Sequence, residues 1–341
     1  MRSFIIGGTG FVGAYLAAHL RSLGHEVAVT KMPGEQGGFA APKAMPMPEC
    51  LVGQAVEVFA LDILDKEAVL RLLREWRADY IFHLAAQSSV ARSWKDPGLT
   101  VDVNIKGSLH VLEALRELSA ETGAAGTGQE PGRRARLLLV GSGEEYGRAL
   151  PQEIPVRETA CLRPGNIYAA TKACQNMLGK IYAQAYGLEV VMARPFNHIG
   201  PNQQPVFAVA DFCRQAAQIE AGQQEAVIRV GSLDVKRDFT DVRDVVRAYA
   251  MLAASGKAGE DYNVGSGRAR GIGEMLQMVL GHSRAKIRVE VDEARLRPAE
   301  VPVMEANIGK LQEATGWAPQ IALEQTVREM LDYWRKAVDC M

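Results

Sequence analysis

Net charge is nearly absent from this chain: 39 Lys and Arg stand against 40 Asp and Glu, a formal −1 at pH 7. Nucleic acid and anionic membrane surfaces therefore lose any general electrostatic pull, and an anionic ligand must be held by a local site. Cysteine is also sparse. Cys50, Cys161, Cys174, Cys213 and Cys340 form an odd, scattered set without CxxC pairing, which argues against a disulfide framework or zinc cluster and for a reducing cytoplasm. The histidines are equally scattered, with no ligand spacing for a metal. Long hydrophobic runs are missing too. Phe4 to Ala18, following Arg2, superficially resembles a signal peptide, but Gly7, Gly8, Gly10 and Gly13 would weaken such a helix. The run is also shorter than the roughly 20 residues a membrane span needs, and no other segment comes close. No internal repeat is present.

What is there is an ordinary globular composition, 48% apolar and 23% charged over 341 residues, enough for one large domain or two intimately joined ones. Phe4 to Ile6 reads as a buried strand, a glycine turn follows, and Phe11, Tyr15, Leu16, His19, Leu20 and Leu23 recur at helical spacing up to Gly24. Strands are expected at Val27–Val29, Val56–Leu61, Tyr80–Leu84, Arg136–Val140 and Glu189–Ala193. Helices are expected at Ala68–Trp76, about Leu99–Ser119 and Asn166–Tyr186, with Gly187 as the stop. The alternation predicts an α/β fold, a parallel sheet covered on both faces. Met32–Pro48 and Glu121–Arg136 read as loops, the second a mobile one. Beyond Pro195 the pattern is irregular, with helices near Val209–Glu220 and Leu323–Ala337 and a strand near Ala226–Val230.

Gly7, Gly10 and Gly13 lie in Gly-Gly-Thr-Gly-Phe11-Val12-Gly between the first strand and first helix. Without Cβ atoms the backbone can approach a pyrophosphate, which the helix dipole also favours. The second strand ends at Thr30-Lys31, where an NAD-preferring site commonly places an acid. Lys31 is able to pair with a 2′-phosphate, favouring NADP, with a solvated lysine as the plain alternative. Asp62 and Ile63, after the third strand, are placed for the adenine edge, and Asp65 also suits a helix N-cap.

Tyr168 and Lys172 stand four apart, on one helix face. A neighbouring ammonium lowers a phenol's pKa, which would make Tyr168 a usable proton donor. Ser142, after the strand ending at Val140, falls at the carboxyl edge of the same sheet. His83 and His198 read as hydrogen-bonded structural residues, and neither is assigned as acid or base.

With these features the sequence resembles the extended short-chain dehydrogenase/reductase family over nearly its whole length. The likeness includes His83-Leu84-Ala85-Ala86, Asn104 in Asn-Ile-Lys-Gly, Glu144-Glu145-Tyr146-Gly147, Arg194-Pro195-Phe196-Asn197-His198 and Arg237-Asp238-Phe239-Thr240-Asp241-Val242. Gln87-Ser88-Ser89-Val90, Asn197-His198-Ile199-Gly200-Pro201 and Leu296-Arg297-Pro298-Ala299-Glu300-Val301-Pro302 turn it toward the GDP-mannose branch. That branch comprises GDP-mannose 4,6-dehydratases and especially the reductases of GDP-4-keto-6-deoxymannose.

The resemblance implies a Rossmann-type doubly wound sheet from residues 1–195, with returning segments near 232–265. A smaller sugar-nucleotide domain would come from 196–231 and 266–341. NADP(H), or secondarily NAD(H), would lie along the glycine turn, Thr30, Lys31, Asp62, Ile63, Leu84, Ala85, Ala86, Tyr168, Lys172 and His198. A GDP-sugar would meet Gln87, Ser88, Asn104, Glu144, Asn197, Val209, Arg237, Arg297 and Glu300; an arginine fork suits phosphate oxygens and a carboxylate suits ribose hydroxyls. Relatives pair their long helices into a four-helix bundle, which implies a homodimer or a tetramer built from it.

In the reductase, Tyr168 supplies a proton to a C4 oxygen steadied by Ser142, while Lys172 holds the nicotinamide ribose. In dehydratases the Ser or Thr is followed by Asp or Ser and then Glu; here Gly143 intervenes before Glu144, which favours reduction. Asn166-Ile167 replaces the Ser-Pro that relatives often carry. Rival readings are the dehydratase with Glu144 as base, a C4 epimerase, and a nucleotide-sensing protein that has kept the fold and lost the chemistry.

Overall fold

The computed structural model describes residues 1–34, 56–123, 135–295 and 301–339. Its first half alternates strand and helix: β1 (Arg2–Ile6), α1 (Phe11–Ser22), β2 (Glu26–Lys31), β3 (Glu57–Ala60), α2 (Lys66–Trp76), β4 (Tyr80–His83), the short α3 (Val90–Lys95) and α4 (Pro97–Val101), α5 (Gly107–Gly123), β5 (Arg136–Val140), α6 (Ile167–Tyr186) and β6 (Val190–Pro195). The second half holds β7 (Asn197–Ile199), α7 (Ala208–Glu220), β8 (Val227–Val230), β9 (Lys236–Asp241), α8 (Val242–Ser255), β10 (Asp261–Val264), β11 (Ala269–Gly271), α9 (Ile272–His282), β12 (Arg288–Val291), β13 (Val303–Met304), α10 (Gly309–Thr315) and α11 (Leu323–Asp339).

Seven strands form one parallel sheet in the order β10-β6-β5-β4-β1-β2-β3, the doubly wound Rossmann arrangement expected from the alternation. A helix between successive parallel strands can return only across a face, so both faces are covered. On one face Leu16, Leu20, Val245, Tyr249 and Trp317 close over the sheet from α1, α8 and the segment after α10. On the other, Val69, Leu73, Trp76, Val111, Leu112 and Tyr182 do so from α2, α5 and α6. A separate core joins α7, α9 and α11 to β8 through Phe212, Cys213, Ile228, Met275, Val327 and Trp334. Each such side chain, fully buried, contributes about 1.5–3 kcal/mol relative to exposure.

Two differences from the sequence reading matter. The region after Pro195 is more regular than expected: Val242, Val245, Val246, Tyr249 and Leu252 carry a full helical stripe, capped by Asp241. The chain then returns to add β10 beside β6. The helix expected from about Leu99 is interrupted by a π-helical stretch, Asp102–Lys106, before α5. Of the two expected loops, residues 35–48 and 124–134 lie outside the described residues. No described helix is long and apolar enough to cross a membrane.

Candidate active site

The carboxyl ends of β1, β4 and β5 meet at one edge of the sheet, where ligands of open α/β folds bind. The glycine turn lies there, and its glycines do different jobs. Gly7 has φ +83°, and a Cβ on it would fall 2.7 Å from the backbone of Ala85. One on Gly8 would strike Val29 at 2.5 Å, and one on Gly13 would strike Gly8 at 2.5 Å. Gly10 instead has nothing nearer than 3.6 Å. It opens α1 without a side-chain cap, and no acid occupies the first turn. A bare helix N-terminus of this kind fits a pyrophosphate.

Thr30 is buried and its hydroxyl accepts from Gly7 N at 2.9 Å, so it shapes the turn from below; Lys31 ends β2, half-buried. Asp62 accepts from Leu64 N at 2.9 Å while Asp65 caps α2 through Ala68 N at 3.0 Å. Ile63 turns its side chain into the core under Gly107. Leu84 and Ala85 both donate their N–H to the Ile6 carbonyl at 2.9 Å, which brings the chain after β4, with Ala86, beside the turn. Phe11 stacks on His198, centroids 6.2 Å apart, joining β7 to the first turn of α1. Burial holds His198 below its ordinary pKa, against an opposing hydrogen bond to the Phe196 carbonyl.

Ser142 leaves β5 in extended conformation and heads a 3-10 turn, its hydroxyl accepting from Glu144 N at 3.2 Å. Tyr168 and Lys172 face it from α6, whose start is set by Asn166 accepting from Ala169 N at 2.8 Å. Burial raises the Tyr168 phenol above its ordinary value; a hydrogen bond with Ser142 opposes this, and the charges of Glu144 and Glu145 add to it. The expected control of the phenol by the lysine is thus corrected. Lys172 donates to the Val140 carbonyl at 2.8 Å and to Gln175 Oε1 at 2.9 Å, and burial lowers it to about 8, with Glu145 opposing. Glu144 is partly exposed and accepts from Asn166 Nδ2 at 3.3 Å.

The residues expected at the sugar nucleotide separate on folding. Ser88 and Asn197 are exposed beside the edge. Arg237 donates to the Val301 carbonyl at 2.7 Å. Gln87 is buried, its amide engaged with Ser89 and Thr100. Asn104 is fully buried in the π-helical stretch, accepting from Gln87 N at 2.8 Å and donating to Thr171 Oγ1 at 2.9 Å; it shapes the wall behind the site. Val209 packs in the α7 core, because an apolar residue in the first turn of an amphipathic helix faces inward. Arg297 and Glu300 lie outside the described residues. His83, bonded to Ser108 at 2.9 Å, is driven by burial to about 3 and stays neutral.

Sequence reasoning missed the polar residues under the site. Gln175 and Asn176 follow Tyr168 and Lys172 on one face of α6, a polar stripe at helical spacing that was the available signal. Arg194 pairs with Glu145 at 2.8 Å and with Asp261 at 3.4 Å, all buried.

The family model described as GDP-mannose 4,6 dehydratase matches residues 4–330. A GDP-6-deoxy-D-mannose reductase from Pseudomonas aeruginosa is 32% identical over 337 residues, covering 99% of this chain and 98% of that one. Among solved structures, RMD from Pseudomonas aeruginosa complexed with NADPH superposes with a TM-score of 0.80 at 31% identity, covering 98% of each chain. The UDP-glucose 4-epimerase of Thermus thermophilus complexed with NAD gives 0.81 at 29%, covering 98% of this chain and 99% of that one.

Proposed function

The chain belongs to the GDP-mannose 4,6 dehydratase family, and on that premise we propose that it reduces the C4 ketone of GDP-4-keto-6-deoxy-D-mannose to GDP-D-rhamnose. The reductase similar to it along its whole length supports this reading. When bound, a reduced nicotinamide supplies the hydride; the chain's own groups handle the proton and the oxygen. Tyr168 donates its phenolic proton to the C4 oxygen as that oxygen gains charge, and the Ser142 hydroxyl hydrogen-bonds the same oxygen. Lys172 holds the nicotinamide ribose.

The observation that carries reduction over dehydration is at Gly143. A Cβ there would lie 3.0 Å from the Phe196 ring, so the position where dehydratases carry a side chain is filled by an aromatic face. The second reading, dehydration of GDP-mannose with Glu144 taking the C5 proton, is favoured by the place of Glu144 on the same turn as Ser142; a C4 epimerase is a third.

NADP(H) is the preferred cofactor in this proposal and NAD(H) the second, because Lys31 and no acid ends β2. Residues 1–195 with 232–265 would hold it, and 196–231 with 266–341 the sugar nucleotide, with Asn197, Arg237, Arg297 and Glu300 on the GDP. A homodimer through a four-helix bundle, or a tetramer of such dimers, is supported by Met177 and Ile181, which leave an apolar face of α6 exposed. The scattered cysteines support a cytoplasmic setting.

The test supplies GDP-4-keto-6-deoxymannose with NADPH or NADH, and separately GDP-mannose with a trace of oxidised cofactor. Stoichiometric loss of reduced cofactor with a deoxyhexose product establishes the reductase and ranks the cofactors. A 4-keto product from GDP-mannose without net cofactor loss makes the enzyme a dehydratase.

A further inference from the structure

We infer that Glu145 is a positioning residue: through Asn176 it braces the Ser142 turn against the helix carrying Tyr168 and Lys172, so that serine hydroxyl and phenol meet one substrate oxygen. This rests on the proposed carbonyl chemistry and deepens it.

The brace begins where β5 ends. Gly141 N makes the last bond toward β6, to the Ala193 carbonyl at 2.8 Å. The next N–H, that of Ser142, has left the ladder and is taken by Glu145 Oε1 at 2.8 Å. The same oxygen accepts from Asn176 Nδ2 at 2.8 Å, four residues beyond Lys172 on α6. Its partner Oε2 accepts from Arg194 Nε at 2.8 Å. Arg194 is in turn tied to the Tyr146 hydroxyl at 3.1 Å, and that hydroxyl donates to Asn263 Oδ1 at 2.7 Å. One carboxylate therefore joins the serine turn, the catalytic helix and strands β6 and β10.

Gly141 shows how tightly this is built. A Cβ there would fall 2.3 Å from both Asn176 Nδ2 and Glu145 Oε1, so the two side chains meet in space only a glycine leaves open. The arrangement is also costly for packing alone. Glu145 is fully buried and Asn176 Oδ1 has no hydrogen-bond partner among the described residues, whereas apolar residues would fill such a site without desolvating a charge. The charged groups acting on or with Glu145 are Arg194 on β6, Asp261 on β10 and Lys172 on α6; Lys180 pairs with Asp261, and Glu144 acts on Tyr168 beside it. Its charge raises both Tyr168 and Lys172; removing it shifts both downward.

The test measures kcat, KM, the pH profile and cofactor affinity for Glu145→Gln, Asn176→Ala and Gly141→Ala. Wild-type turnover comes first: inertness toward every sugar nucleotide offered rejects the proposed function, whereas the brace is judged from ratios of variant to wild type on whichever substrate turns over. A displaced serine should lower kcat by about ten- to a hundredfold in Asn176→Ala and Glu145→Gln, with KM and cofactor affinity within about threefold. In Glu145→Gln the alkaline limb of the profile should also move to lower pH, and in Asn176→Ala it should stay. Gly141→Ala should reproduce the kcat loss. Should Glu145→Gln fail to fold, Asn176→Ala, which leaves the Glu145–Arg194 pair intact, decides. A kcat within about twofold of wild type in Asn176→Ala, or a loss carried by KM or cofactor affinity, overturns the inference.

Discussion

The Lys172 ammonium donates to the Val140 carbonyl at 2.8 Å, which fixes helix α6 to the carboxyl end of the strand that delivers Ser142. Gln175 completes the attachment by accepting from the ammonium at 2.9 Å and donating to the same carbonyl at 2.9 Å. A buried cation held this way is a strain on the free protein.

That strain has a pH signature. Burial lowers Lys172 from 10.5 to about 8, Glu145 opposing, so between those values the unfolded chain binds the proton and the native chain does not. Stability contributed by this group therefore rises with pH across the window, by about 3 kcal/mol in full. Lys172→Met removes the titration. Urea unfolding of wild type and variant at pH 7 and pH 10.5 should show their stability difference shifting toward wild type by that amount; a difference independent of pH would mean the lysine titrates normally.

Tyr168→Phe removes the proposed proton donor and little else. Turnover should fall by about 10²- to 10⁴-fold, while cofactor affinity, read from nicotinamide fluorescence, stays close to wild type. Near-normal turnover would reject Tyr168 as the donor.

The glycines of the first turn should separate binding from stability. Gly10→Ala makes only an ordinary contact, 3.6 Å from the Gly7 carbonyl oxygen, so its unfolding midpoint should hold while cofactor affinity drops. Gly13→Ala drives a methyl against the Gly8 backbone at 2.5 Å and should cost about 1–3 kcal/mol in urea unfolding. Equal loss of stability in both would show that Gly10 also serves packing.

Phe196 over Gly143 is checked by a double-mutant cycle. Gly143→Ser should destabilise by about 1–3 kcal/mol through overpacking, and Phe196→Leu in the same chain should restore part of it. Additive losses would remove the aromatic ring as the reason for glycine there.

Much of this was legible beforehand because local rules carried it. The strand–turn–helix around Gly7–Gly13, the helix expected from Asn166 and its Gly187 stop with φ +63° all follow from sterics and backbone bonding within a few residues. The stripe of α8 is equally local, although the helix follows β9 with no turn residue between them. Val209 and Ile63 were harder: an apolar residue near a site reads the same whether it lines the cleft or the core, and packing alone places both inside.

By itself, then, the sequence determined the parallel α/β order, the bare glycine turn and the Tyr168–Lys172 pair on one helix face, since each depends on spacing along the chain. Only the tertiary structure decided what surrounds that pair. Burial, rather than the lysine, governs the phenol; Asn104 faces inward; and Asn176 and Arg194, distant in sequence, converge on Glu145 in the turn of Ser142. Desolvation and hydrogen-bond partners are properties of packed space, and no spacing along a chain encodes them.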